Sequence, residues 1–392
     1  MNSRGARWFE SPASGRWLIA LYVLAAVLVT VQQGVTGHSN NFAIFRTAWD
    51  NLRAGADLYA PHPDRHFDLY KYSPAFAVLF APFAELPFAI GLLAWELLNA
   101  LLLYYALGRL IPGRPARIAA CLLLLEVIRA AQHAQSNALV AALVILAFVA
   151  FEEEKRERAA LCIGVGAAIK IFPLAAGTLM LFRSGKVRFL LASAVVGIIL
   201  LLLPLLVTSP ALLLEQYRSW RMLEGQDALR VTAPSVMGIL GTWFGIGWPN
   251  WTVQLAGTVV LVAPLARWRA FTADQSLRRL YLCSLLVYMV IFNPQAESPS
   301  YVIAMSGIMI WFASTTRSRL RDVLVVFALL LVSVASSDPT PHWFQREVVQ
   351  KYALKALPCL LCWILIQREL WLGGASGQLA GQGIVHENVR HS

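Results

Sequence analysis

Four ionisable side chains lie inside segments of this chain that are otherwise apolar, and they are the first candidates for chemistry. They are Glu96, Glu126, Arg129 and Lys170. A charge at membrane depth is costly unless it faces a cavity or a partner. Glu126 and Arg129, spaced i, i+3, either pair on one helix or serve a site. Lys170, in the run AAIKIFP, indicates an ammonium at a helix break, where it would suit a phosphate.

Two short polar hairpins hold further candidates. The first, residues 132–137, reads QHAQSN. It is either an exposed turn or an amide-lined edge of a cavity, in which Gln135 and Asn137 hydrogen-bond a sugar. The second, residues 293–301, has Glu297 as its only charge, which is either solvated or catalytic.

The longest polar stretch, residues 37–71, carries four aspartates and three histidines, among them the candidates Asp50, Asp57, Asp64, Asp68, His62 and His66. It is followed by an apolar segment that begins beyond Tyr72. Asp68 lies between His66 and Lys71, in the stretch where part of any chemistry is expected. The alternative is an exposed ion pair with Lys71, worth at most about 1 kcal/mol.

The composition places these residues in a membrane protein. Of 392 residues, 58% are apolar and 14% charged, with a mean hydropathy of +0.60, which lies well outside the range of an ordinary soluble domain. The net charge of +11 does not indicate nucleic acid, because the basic residues stand between apolar runs. All five cysteines lie within such runs, so no disulfide framework is expected.

Ten apolar runs are long enough to span a bilayer: residues 17–36, 88–110, 116–131, 137–151, 187–207, 250–266, 277–293, 299–315, 319–335 and 350–366. A single helix over 159–182 would invert the alternation of basic loops that follows it. Splitting that segment at Lys170, just before Pro173, restores the alternation. The sequence therefore predicts an all-α polytopic membrane protein, a bundle of about twelve transmembrane helices with both termini cytoplasmic.

The remaining segments complete this arrangement. Residues 73–87 and 234–248 are predicted to be outer-face interfacial helices. Residues 37–72 and 208–235 are predicted to form the first and second outer loops of a single transmembrane domain, residues 1–372. The tail, residues 373–392, is predicted to be a disordered cytoplasmic end.

Several motifs occur together in the first 180 residues. They are N-F-x-x-F-R-x-A-W at 41–49, G-x-D-L-Y at 55–59, K-Y-S-P-x-F-A at 71–77, Q-S-N at 135–137 and A-A-I-K-I-F-P at 167–173. In this order and spacing the chain resembles the polyprenol-phosphate-dependent glycosyltransferases of the GT-C class. The resemblance is to glycosyltransferase family 87 in particular, the DUF2029 mannosyltransferase-like proteins.

The resemblance implies an inverting hexosyltransferase-like enzyme of the cell (inner) membrane, with its site facing the periplasm or exterior. It would move mannose, or another hexose or pentose, from a polyprenyl monophosphate to a hydroxyl of a glycan or glycolipid. The family places an aspartate as base just after the first helix, where this chain has Asn41, which cannot accept a proton. Either Asp68 or Glu297 replaces that base, or the chain is not an active transferase of the usual kind.

The resulting hypothesis assigns a role to each candidate. Asp68 or Glu297 is the general base, and Lys170 with Arg129 or Lys71 binds the donor phosphate. The residues expected to bind the sugar or the acceptor are Asn41, His66, Tyr72, Gln135 and Asn137. No cofactor or metal is expected. The alternatives are a carrier or flippase of polyprenyl-linked glycans and a polysaccharide polymerase or ligase.

Overall fold

The computed structural model describes residues 8–36, 39–227, 234–315, 318–337 and 340–373, and these residues contain helices and connecting turns but no strand. The α-helices are α1 (Pro12–Thr36), α2 (Asn40–Ala54), α3 (Pro74–Ala84), α4 (Phe88–Leu110), α5 (Arg114–Gln132), α6 (Asn137–Glu152), α7 (Arg156–Ile169), α8 (Lys186–Leu202), α9 (Pro210–Asp227), α10 (Val236–Phe244), α11 (Asn250–Val262), α12 (Trp268–Ala273), α13 (Gln275–Ile291), α14 (Tyr301–Ser314), α15 (Arg319–Ala328), α16 (His342–Phe344) and α17 (Ala356–Leu372).

Shorter helical segments of other types join them. The 3-10 helices are Phe172–Phe182, Leu203–Leu206, Ala263–Arg267 and Ser298–Ser300, and the π-helical segments are Leu329–Val334 and Gln345–Gln350. The all-helical fold class predicted from the sequence is therefore confirmed for the described residues. Of the predicted tail, residues 374–392 lie outside the described residues.

Three helical stretches among the described residues are long and apolar enough to cross a membrane: Pro12–Gly34, Phe88–Leu110 and Lys186–Leu206. Shorter apolar helices accompany them, at Pro74–Ala84, Asn137–Glu152, Phe172–Phe182 and Ser298–Ser314. These lengths agree with a membrane protein. The count of about twelve spanning helices stays a prediction.

The predicted break at Lys170 is confirmed. Helix α7 ends just before Lys170, whose backbone is extended, and a 3-10 helix begins two residues later. The Lys170 side chain reaches Asn137 at the start of α6. After the 3-10 helix, Arg183 reaches Glu152 at the other end of α6, with 3.2 Å between Nη2 and Oε2. The chain therefore reverses at Lys170, as the position of Pro173 predicts.

These contacts define two ends of the bundle. We call the end that holds Asn137 and Lys170 the site end, and the end that holds Glu152 the basic end. At the basic end, Arg278 donates to both oxygens of the Glu152 carboxylate, at 2.7 and 2.8 Å. Arg156 donates to the Ser184 carbonyl oxygen at 2.9 Å. Basic residues that are far apart in the sequence thus gather at one end, as the alternation of loops predicts.

The first outer loop differs from the open polar stretch that the sequence suggested, because residues 40–54 form helix α2. Phe42 and Phe45 lie on its buried face and contact Phe80 of α3, with ring centroids 5.5 and 5.1 Å apart. Apolar residues in α2 recur at the helical spacing of three and four. Gly55 ends the helix in the left-handed conformation that glycine adopts without strain, with φ of 69°. This packing fixes the start of the loop against the bundle.

Helix α9, which belongs to the predicted second outer loop, packs on the first. The side-chain oxygen of Gln216 accepts from the Leu58 backbone N–H at 2.9 Å, and its nitrogen donates to the Ala56 carbonyl at 3.0 Å. The two outer loops therefore lie over the same face, as expected.

Candidate functional site

Four of the predicted site residues form a hydrogen-bonded line at the site end. Lys170 Nζ donates to Asn137 Oδ1 at 2.7 Å. Asn137 Nδ2 lies 3.4 Å from Gln135 Oε1, and Gln135 Nε2 donates to Glu297 Oε2 at 3.0 Å. The line joins a cation to a carboxylate through two buried amides. It brings together residues from three separate parts of the chain.

Local structure explains how these side chains are placed. Asn137 begins α6 and Lys170 follows α7, and these adjacent helices run in opposite directions, so both residues lie at the same end. Glu297 precedes a short 3-10 helix, where its backbone N–H donates to Ser300 Oγ at 3.3 Å and its carbonyl accepts from the Ser300 N–H at 2.9 Å. This turn buries Ala296 and Ser300 and leaves Glu297 exposed. The carboxylate is therefore held in position and open to a ligand.

Two cavities meet at Glu297. The first, of about 300 Å³, is lined by Lys71, Glu297, Ser298 and Lys355 among others, and we call it the lysine cavity. The second, of about 670 Å³, is lined by polar side chains and is called the amide cavity; its lining includes Asn40, Asn41, His66, Asp68, Gln132, His133, Gln135 and Glu297. Glu297 belongs to both linings. Glu297 thus lies between a compartment with two lysines and a larger one that is rich in side-chain amides and also holds Asp64, Arg65 and Asp68.

The lysine cavity contains a residue that the sequence reasoning missed. Lys355 is only 3% exposed, and its Nζ donates to Ser298 Oγ at 2.5 Å. The sequence predicts a spanning helix over residues 350–366, which would place Lys355 inside it. In the structure the helix begins at Ala356, so Lys355 lies at its start. A lysine inside an apolar run was the available signal, the same signal that identified Lys170.

Lys71 is the more exposed cation of the lysine cavity. Its Nζ lies 3.6 Å from Asp68 Oδ1, and both side chains are partly exposed. The Asp68 carboxylate also accepts from the Leu69 backbone N–H at 2.8 Å. Asp68 therefore forms the surface ion pair that the sequence allowed, and it also lines the amide cavity.

Neutral polar groups form much of the remaining amide cavity. Asn41 Nδ2 donates to the His133 carbonyl at 2.7 Å. His66 Nδ1 lies 2.7 Å from the Asp68 carbonyl oxygen, so this nitrogen carries the proton and donates. Desolvation lowers the pKa of His66 below its usual value near 6.5, which favours the neutral imidazole. Neutral donors and acceptors of this kind suit sugar hydroxyls.

Tyr72 lies close to the same carboxylate. Burial raises the pKa of Tyr72, and the negative charge of Glu297 raises it further. Its ring packs against Phe45 and Phe76, with centroids 4.9 Å away in each case. The Tyr72 hydroxyl therefore stays protonated, and the aromatic packing fixes the chain between Lys71 and α3.

Arg129 does not pair with Glu126, so the alternative of an i, i+3 ion pair is wrong. Its guanidinium instead donates to the Ser333 carbonyl at 3.1 Å, and Nη1 lies 3.4 Å from Ser298 Oγ. The Glu126 carboxylate is fully buried, and within the described part of the chain neither of its oxygens has a hydrogen-bond partner. Arg129 thus reaches the rim of the lysine cavity from behind Ser298.

Lys170 lines neither cavity. It connects to them through Asn137 and Gln135, and the charge of Glu297 acts on its ammonium. Of the four residues in the line, Gln135 and Glu297 line the amide cavity.

The apolar helices indicate an integral membrane protein. The polar side chains and cavities gathered at one end of the bundle form a candidate active site. The model of glycosyltransferase family 87 matches residues 70–294, which is more than half of the chain. The chain belongs to glycosyltransferase family 87, as its motifs suggested, and is a glycosyltransferase. Among curated proteins, none matches the chain.

Proposed function

We propose that this protein transfers a sugar, with inversion, from a polyprenyl monophosphate to a hydroxyl of a glycan or glycolipid, and that Glu297 is the general base. The observation that carries the proposal is the position of Glu297 between the lysine cavity and the amide cavity. A direct displacement needs a base on one side of the sugar and a stabilised leaving group on the other. The two cavities supply these two environments.

Each bond that forms or breaks in the reaction can be assigned to a part of this site. The acceptor hydroxyl lies in the amide cavity and gives its proton to Glu297 as its oxygen bonds the anomeric carbon. The bond from that carbon to the phosphate oxygen breaks, and the electron pair stays with the phosphate. Gln135 donates to one oxygen of Glu297 at 3.0 Å and so orients the carboxylate. The charge that develops on the phosphate falls in the lysine cavity, beside Lys71.

Two further cations belong to the proposed donor site. Arg129 lies behind Ser298 and adds positive charge to the lysine cavity. Lys170 is assigned to the donor as well, although it lines neither cavity: among the described residues its ammonium donates to Asn137, and we assign it an electrostatic role on the phosphate through the line that ends at Glu297. Side chains carry all the charge in this scheme. It includes no metal ion, so a chelator should leave turnover unchanged.

An apolar cavity of about 380 Å³ supports a lipid donor. Its lining includes Ser73, Ala167, Ala168 and Gly164, together with Leu200 and Trp220. Ser73 Oγ donates to the Ala168 carbonyl at 2.5 Å, so the cavity begins two residues along the chain from both Lys71 and Lys170. We assign the first isoprene units of the donor to this cavity.

The proposed orientation follows from charge. The arginines of the basic end, among them Arg156, Arg183 and Arg278, are expected on the cytoplasmic side. The site end then faces the periplasm or exterior of the cell membrane. A donor drawn sideways from the outer leaflet would present its phosphate there.

The choice of donor tests the proposal. Purified protein is incubated with a mannosyl monophosphate of a short polyprenol, or with a nucleotide-activated mannose, and a glycolipid acceptor. We expect transfer from the lipid donor alone, with inverted configuration at the anomeric carbon. Transfer from the nucleotide donor, or retained configuration, would contradict the proposal.

A further inference from the structure

We propose that Lys355 binds the phosphate of the donor and stabilises the phosphate product more strongly than the donor itself. The inference rests on the proposed function, because it assigns a new residue to the leaving group of that reaction. It starts from Ser298, whose hydroxyl meets two buried cations at the wall of the lysine cavity.

The geometry at Ser298 is that of an anion site. Lys355 Nζ lies 2.5 Å and Arg129 Nη1 3.4 Å from the Ser298 hydroxyl oxygen. These cations are only 3% and 6% exposed. A neutral hydroxyl can accept a hydrogen bond but cannot neutralise either charge. Buried cations are stable only when an anion is close.

The protein supplies only part of that anion. Desolvation lowers the pKa of Lys355 to about 7, and the fully buried Glu126 carboxylate opposes that shift, although neither oxygen of Glu126 has a hydrogen-bond partner among the described residues. When Lys355 is protonated, two cations and one carboxylate leave one excess positive charge beside the cavity. Glu297 also faces this cavity, but it is exposed and already accepts from Gln135. A phosphate next to Lys355 would balance the remaining charge.

During the reaction the negative charge on the phosphate increases, so a positive charge beside it becomes more favourable. The donor is a phosphodiester with one negative charge, and the product is a phosphomonoester that approaches two. The bond that breaks leaves its electron pair on the phosphate oxygen, while the proton of the acceptor goes to Glu297. A cation beside that oxygen therefore binds the product, and the transition state that resembles it, more tightly than the donor.

Ser298 holds Lys355 in place until the phosphate arrives. In the structure its hydroxyl occupies one donor position of the ammonium. When the donor binds, Lys355 exchanges this contact for a phosphate oxygen. Removing the hydroxyl should therefore leave phosphate affinity unchanged or increase it.

Direct binding of farnesyl phosphate, measured by titration calorimetry, tests the inference without requiring turnover. Lys355→Met should weaken binding of this monophosphate by roughly tenfold to a hundredfold, the value of a hydrogen bond between charged groups. The binding of farnesyl-phosphate-mannose should weaken less, and kcat should fall more than KM rises. Lys355→Arg should restore part of the affinity.

Lys351→Met is the matched control. Lys351 lies four residues earlier, is 58% exposed and pairs with Glu347 at 3.7 Å. Its loss should leave farnesyl phosphate affinity unchanged. Ser298→Ala gives a second route if Lys355→Met does not fold, and it should bind farnesyl phosphate at least as well as the wild type.

The outcomes separate this inference from the proposed function. If the wild type and Lys355→Met bind farnesyl phosphate equally, Lys355 is not a ligand, while the proposed transfer reaction stands. If Ser298→Ala weakens binding as much as Lys355→Met does, Lys355 acts only by holding Ser298, and the inference is wrong. If the wild type neither binds farnesyl phosphate nor transfers sugar from its mannosyl form, the proposed function itself fails.

Discussion

Replacing Glu297 with Gln should lower the rate of sugar transfer by about 10²- to 10⁴-fold, the usual contribution of a general base. The substitution preserves size. Its amide oxygen can still accept from Gln135, which lies 3.0 Å from the Glu297 carboxylate. Only basicity and charge are lost, so donor binding should be largely retained. The measurement is the initial rate of transfer at saturating lipid donor.

Asp68→Asn is the matched control for this prediction. The Asp68 side chain is 43% exposed and its ion pair with Lys71 spans 3.6 Å. An exposed pair of this kind contributes at most about 1 kcal/mol, equivalent to roughly a fivefold change. We therefore expect Asp68→Asn to keep most of its activity.

The reverse pattern would refute the reasoning. If Asp68→Asn loses a hundredfold in rate while Glu297→Gln stays near normal, the base is Asp68, which also lines the amide cavity. If neither substitution changes the rate, neither carboxylate is the base. A carrier of polyprenyl-linked glycans would then explain the site better.

Three further predictions concern the donor and the topology. Lys170→Met should weaken donor binding while the protein stays folded, since within the described part of the chain the ammonium contacts a side-chain amide and no carboxylate; unchanged donor affinity would make Lys170 a structural residue. Ala167→Trp should fill the apolar cavity and raise KM for a long polyprenyl donor more than for a farnesyl donor; equal effects would remove the lipid from that cavity. Cysteines introduced at Ser39 and Ser376 should label from opposite sides of the membrane, and labelling from one side would contradict the topology.

The sequence was sufficient where local chemistry determines the structure. Pro173 and the alternation of basic loops predicted the chain reversal at Lys170. Once the chain reverses there, the start of α6 and the end of α7 must lie at the same end. Asn137 and Lys170 were therefore predictable as neighbours, and the family match covers both of them.

The sequence was not sufficient where distant segments meet. Gln135 and Glu297 are 162 residues apart, and their contact depends on how α14 packs against α5 and α6, which no local pattern encodes. The same packing makes Glu297 the carboxylate between two cavities, whereas sequence order favoured Asp68, which lies nearer the expected family position at Asn41. The family match begins at residue 70 and ends at 294, so it includes neither Asn41 nor Glu297.

Two other elements were present in the sequence but hidden by its composition. Helix α2 was obscured because its polar residues suggested a loop, although Phe42, Phe45 and Trp49 recur at helical spacing on its buried face. Lys355 is hard to recognise because it lies in the apolar run over residues 350–366. The length of that run predicts a spanning helix that includes the lysine. In both cases the composition of the segment is less informative than the positions of particular residues within it.

The fate of a doubly labelled donor tests the central claim most directly. Sealed vesicles containing the protein receive polyprenyl-phosphate-mannose labelled in both the sugar and the phosphate, together with a glycolipid acceptor. We predict that the sugar label moves to the acceptor as free polyprenyl phosphate appears in equal amount, and that Glu297→Gln stops both. Movement of the intact donor across the bilayer, with both labels still joined and no polyprenyl phosphate released, would contradict the account.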